Sequence, residues 1–196
     1  MTTHIDPRAA VASAVADYQA TADTGTLFTA LDRIAASAMP DALIEAAEPY
    51  RTIPEVAGPL YEKVVNAQPH NARALVILAN AWWLSGRGPV AVGELAQRAI
   101  AADPGNRGAW HMWALTESEP RDRTTRWKQV VDRFPDDELA MANLADNAAA
   151  LASAEKDYDA LDLAVYTYEQ LLARATHDDQ RDALDTALRS LRGWQF

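Results

Sequence analysis

Four stretches of the chain repeat one apolar spacing. A large residue is followed three and four positions on by an apolar–small pair, and seven positions on by a side chain that is aromatic in two of the four. The series runs Leu43, Ala46-Ala47, Tyr50; then Leu75, Leu78-Ala79, Trp82; then Trp110, Trp113-Ala114, Glu117; then Met141, Leu144-Ala145, Ala148. Offsets of about 0, 3, 4 and 7 lie along one stripe of an α-helix and are incompatible with the two-residue period of a strand. Each stretch is followed by a break and a second apolar segment. The clearest case is Asn71–Pro104, which a Ser-Gly-Arg-Gly-Pro turn divides into two helices. A helix of about 12 residues is marginal in water, so such pairs are stable only when stacked on one another.

The punctuation agrees. Pro54, Pro89 and Pro120 stand where second helices should begin, a position at which the missing N–H costs nothing. Closing prolines fall at Pro69, Pro104 and Pro135, 35 and 31 residues apart. Asp6-Pro7 opens a helix carrying Val11, Val15 and Tyr18, and Asp23 to Thr26 separates it from a second with Leu27, Leu31 and Ile34. A lengthened turn is expected at Ala150–Asp159. A last helix starts at Asp178-Asp179, carries Leu184, Leu188 and Leu191, and stops near Gly193.

The period and the Ala57-x3-Tyr61…Pro69 spacing resemble the tetratricopeptide repeat, a helix pair of about 34 residues. Glu117 in place of an aromatic, and Val92 and Ala96 in the second helix of the central pair, depart from its signature. The resemblance implies an all-α fold, a right-handed superhelical array of antiparallel helix pairs (an α-solenoid). It divides the chain into an N-terminal cap or degenerate repeat at 1–40, about four helix pairs at 41–174, and a capping helix with an aromatic tail at 175–196, all one continuous domain.

It also implies a concave face made by the first helix of each pair. The residues expected on that face are Arg73, Val76, Asn80 and Trp83; Gly108, His111, Leu115 and Ser118; Leu139, Ala142, Asp146 and Ala149; and, from the first pair, Asp41, Ile44, Glu48 and Arg51. Arg73, Asn80, Trp83, His111, Leu115, Asn143 and Asp146 are the candidate partner-binding residues. The partner is expected to be a protein or peptide, and the protein to be a scaffold. Trp82 and Trp113 belong to the packing between helices. Arg73, Asn80 and Asn143 match the family's carboxylate clamp only in part, because the lysines are missing.

Composition closes off other classes. The formal net charge is −10 and the pI about 4.8, which disfavours nucleic acid and anionic lipid as partners. The chain has no cysteine, so disulfides, thiolate catalysis and Cys-bound zinc are excluded. The first residues lack a basic start and an uninterrupted apolar run, and no stretch is long and apolar enough to span a bilayer. A cytoplasmic location is expected. His4, His70, His111 and His177 are scattered, and Gly86, Gly88 and Gly93 lack the lysine of a phosphate loop. No enzyme activity, metal or cofactor is expected. Two features suggest an alternative role in assembly, as a homo-oligomer or an accessory subunit of an enzyme complex. One is the basic run Arg121, Arg123, Arg126, Lys128 and Arg133, within residues 121–133; the other is the aromatic tail Trp194 and Phe196.

Overall fold

The computed structural model describes residues 6–196, so His4 lies outside the described part. The described residues form eleven α-helices: α1 Pro7–Thr21, α2 Thr24–Ser37, α3 Pro40–Ala47, α4 Pro54–Ala67, α5 Ala72–Leu84, α6 Pro89–Ala102, α7 Arg107–Leu115, α8 Pro120–Arg133, α9 Glu138–Glu155, α10 Tyr158–Arg174 and α11 Asp178–Arg192. They contain no strand. The fold is all-α and built of stacked helix pairs, as the spacing predicts.

Local chemistry sets the boundaries. Asp6, Asp23, Asn71, Asp137 and Asp157 each accept a hydrogen bond from a first-turn N–H through the side chain, satisfying a donor that the helix leaves open. Prolines sit in the first turn of α1, α3, α4, α6 and α8. After α3, Pro49 cannot donate to a preceding carbonyl, and Glu48–Tyr50 tightens into a 3-10 turn. Gly86 and Gly88 have φ of 74° and 87°, a left-handed bend that lets the chain reverse between α5 and α6.

The chain divides within α7 into two compact units, one ending at Trp113 and the other starting at Ala114. In unit 1, α1 pairs with α2, α3 with α4 and α5 with α6, while α1 packs on α3, α2 on α4 and α4 on α5. The α1/α2 hairpin thus joins the next pair through α1 on α3 and α2 on α4, whereas the α3/α4 pair joins its successor through α4 on α5. The core consists of the repeat positions themselves: Leu43, Ala46, Ala47, Leu75, Leu78 and Ala79 are all buried, as are Ala57 and Tyr61 of α4. Val92 and Ala96 are fully buried too, so the departure from the family signature is a core filled by different volumes.

In unit 2, α9 packs on α8 and α10, and α11 packs on α10. Here the expected long turn at Ala150–Asp159 is corrected. Helix α9 continues to Glu155, and only Lys156 (φ 55°) and Asp157 join it to α10. Alanine has the highest helix propensity, and Leu151 and Ala152 are buried against Leu161, Ala164 and Leu191. Tertiary burial carries the helix through the segment.

Candidate functional site

Arg73, Val76 and Asn80 follow one another along a single stripe of α5. They line a depression of about 300 Å³ together with Ile77, Arg51, Thr52 and Asn106. Val76 and Ile77 supply an apolar floor. Gly108 on α7 brings the two helices close: a Cβ there would come within 3.1 Å of Val76 Cγ1. Asn106 caps α7 by accepting from Ala109 N–H at 3.2 Å. The Asn80 amide makes no hydrogen bond among the described residues, although it is half-buried.

The rim is charged. Glu48 Oε1 accepts from Arg73 Nη2 at 2.7 Å and pairs with Arg51 Nη1 at 3.1 Å. On the other side of Glu48 a second depression, about 460 Å³, is lined by residues of α1 and the α3 end, including Arg8 and Tyr50. Arg8 pairs there with Glu45 at 3.2 Å. Beneath the rim lies Tyr61, whose buried hydroxyl meets no protein partner. Burial pushes its pKa up, and the negative charge of Glu48 adds to this against the opposing pull of Arg73 and Arg51. The hydroxyl stays neutral.

The other expected groove residues fall in different settings. Trp83 is 36% exposed on the next turn of α5 but does not line the depression. Its neighbour Trp82 is half-buried, with Arg87 stacked 5.0 Å from its ring centroid. His111 is half-buried on α7 in unit 1, and Leu115 is half-buried at the end of that helix, in unit 2. On α9, Asn143 donates to Leu139 O at 2.8 Å, and Asp146 accepts from the Tyr168 hydroxyl. That bond and burial hold the Tyr168 proton far above the usual tyrosine range, burial contributing most. The structure therefore brings Arg73 and Asn80 into one depression, and occupies Asn143 and Asp146 within unit 2. Sequence reasoning missed Thr52, Ile77 and Asn106. For Asn106 a signal existed, since Asp-Pro-Gly-Asn precedes a helix and marks Asn as its cap.

The basic helix α8 is bound to its own unit. Arg121 Nη2 meets Glu155 Oε2 at 2.5 Å and Asp157 Oδ2 at 2.8 Å. Arg123 Nε donates to Asn147 Oδ1 at 2.6 Å, and Lys128 pairs with Asp132 at 2.7 Å. Arg126 reaches Glu117 at 2.5 Å. Glu117 Oε1 also accepts from Ser118 N–H at 2.8 Å and Glu119 N–H at 3.1 Å. Standing where the repeat usually has an aromatic, it closes the α7–α8 turn by hydrogen bonding. The tail also folds onto its own unit. Phe196 N–H donates to the Tyr158 hydroxyl at 3.1 Å, their rings meet edge-on at 5.2 Å, and Trp194 packs on the α9/α10/α11 core.

Among the described residues no group of three or more His, Asp or Glu is placed to hold a metal, and no helix is long and apolar enough to cross a membrane. No family model matches the sequence, and no curated protein matches it. Solved structures do. A thermophilic TPR protein of Thermus thermophilus, TTC0263, superposes with a TM-score of 0.57 over 93% of this chain and 98% of its own, at 18% identity. The MamA protein gives a TM-score of 0.59 over 88% of this chain and 97% of its own, at 16% identity. The fold is that of a TPR-like helical repeat protein.

Proposed function

We propose that the α3–α5–α7 face of unit 1 is a docking groove for an extended peptide or a partner helix, and that the protein is a non-catalytic interaction scaffold. One observation carries this reading. Arg73, Val76 and Asn80, a stripe expected from the register alone, line one depression with Arg51 from the preceding pair, and the Asn80 amide there has no partner among the described residues. The amide is solvent-accessible and engaged by no other side chain or main chain among the described residues, so its donors and acceptor are free to pair with a ligand main chain. The TPR-like fold supports the class. The self-association alternative gains no support from residues 121–133 or the tail, whose arginines and rings already have partners within unit 2.

The test uses peptides selected from a random display library on the full-length protein. Asn80→Ala should weaken binding of a selected peptide about 3- to 10-fold, the value of one hydrogen bond, and Val76→Lys should weaken it further. Binding unchanged by both substitutions would place the site elsewhere.

A further inference from the structure

The rim of the depression holds two guanidinium groups and one carboxylate. Glu48 Oε1 alone receives Arg73 at 2.7 Å and Arg51 at 3.1 Å, while Arg73 and Arg51 have no other carboxylate partner among the described residues. Each guanidinium offers five donors in a planar fork suited to a bidentate carboxylate, and here each directs one donor to a single shared oxygen. The rim is left with one uncompensated positive charge in a protein whose net charge is −10. All three side chains are solvent-accessible, at 55%, 63% and 39%. Exposed pairs of this kind contribute little, so the arrangement can be exchanged. The Glu48 main chain is fixed by its N–H bond to Ile44 O and by the tight turn at Pro49.

Resting on the groove reading above, we propose that the groove takes a peptide carrying an aspartate or glutamate side chain beside an aliphatic residue, and that Glu48 holds the carboxylate position in the free protein as an internal competitor. The incoming carboxylate takes the fork of Arg73 or Arg51. Val76 and Ile77 receive the aliphatic side chain, and Asn80 bonds the peptide main chain. Charge complementarity selects this occupant. A basic peptide would face two arginines, and an uncharged one would leave the excess charge unanswered. Because Glu48 competes, it sets the threshold: only a carboxylate held by additional contacts displaces it.

The test is a selection of random dodecapeptides displayed on phage against the full-length protein, followed by fluorescence anisotropy with synthetic peptides capped at both ends. The expected result is a consensus with Asp or Glu next to Val, Ile or Leu. Glu48→Gln should then bind these peptides about 3- to 10-fold more tightly, and Arg73→Gln about 10-fold more weakly. Changing the peptide acid to its amide should erase the difference between wild type and Glu48→Gln. A basic or uncharged consensus, a requirement for a free C-terminal carboxylate, or a Glu48→Gln affinity no tighter than wild type overturns the proposal. If binding is still weakened by Asn80→Ala and Val76→Lys under those outcomes, the groove reading stands. If no peptide is enriched, or enriched peptides ignore those two substitutions, the groove reading fails and takes this proposal with it. Should Glu48→Gln not fold, Arg51→Glu with Arg73→Glu decides: loss of the acidic preference supports the proposal and its retention overturns it.

Discussion

In unit 1, Arg51 and Arg73 end at the rim of a depression and share the one carboxylate of Glu48. In unit 2, Arg121 joins α8 to the α9–α10 turn through two carboxylates, Arg123 reaches Asn147 of α9, and Arg126 secures the turn that precedes its own helix. Five basic residues within 121–133 are the stronger signal in the sequence, yet they serve the packing of their own unit. Two arginines 22 positions apart make the open cationic rim. The difference teaches that the ratio of cations to nearby carboxylates, and not the number of cations, marks a surface able to take a charged ligand. Asp146 makes the same point on the acidic side: it lies in the register expected for a groove but accepts from Tyr168 of the adjacent helix.

Five predictions probe this contrast. The largest asks whether unit 2 rests on its core or on its polar staples. Trp127 of α8 is 3% exposed, and Trp127→Ala should cost about 3–5 kcal/mol in urea unfolding. A smaller loss than that of Glu117→Ala would mean the staples dominate. Glu117→Ala removes the acceptor for two backbone N–H groups and the partner of Arg126, and should cost about 1–2 kcal/mol, the range for a lost helix cap.

Acid should act on the same contacts. The N–H of Glu119, then Arg126, holds the Glu117 carboxyl below its usual value, and the N–H of Ala160, then Arg121, does so for Asp157. Folded pKa values below the unfolded ones, 4.5 and 3.8 for the free groups, mean that this stability is present above those values. It is lost as pH falls through the folded values. Melting temperature should therefore drop below about pH 4.5, and Glu117→Gln should flatten that drop; an unchanged slope would remove Glu117 from the account. The smallest effects belong to unit 1. Arg73→Ala should change stability by no more than about 0.5 kcal/mol, because its ion pair is exposed. Tyr61→Phe, which removes a buried hydroxyl without a partner, should be neutral or slightly stabilising in the same unfolding assay.

Much of the fold was legible because helical periodicity is a local property. The stripe at Leu75, Leu78, Ala79 and Trp82 places Trp82 toward the helix packing, where the structure has it half-buried; Trp83, expected in the groove, is exposed and lies outside the depression. The proline and Asp or Asn caps fixed most helix starts. The end of α9 was not legible, since Ala150 to Glu155 carries no stop signal and its course depends on burial against α10 and α11. For the candidate site, the register delivered Arg73, Val76 and Asn80, which share a helix. It could not deliver Asn106 or the Glu48–Arg73 pair, whose members lie 25 residues apart and meet only when the α3 turn stacks beside α5.

The sequence by itself determined the all-helical fold, most helix starts and which stripe of the central helices would be buried, because backbone hydrogen bonding and apolar spacing act within a few residues. Tertiary structure alone decided which arginines are bound and which remain open. A guanidinium on a long flexible stem takes whichever carboxylate the packing of other helices brings within its reach. That choice is written in no local pattern.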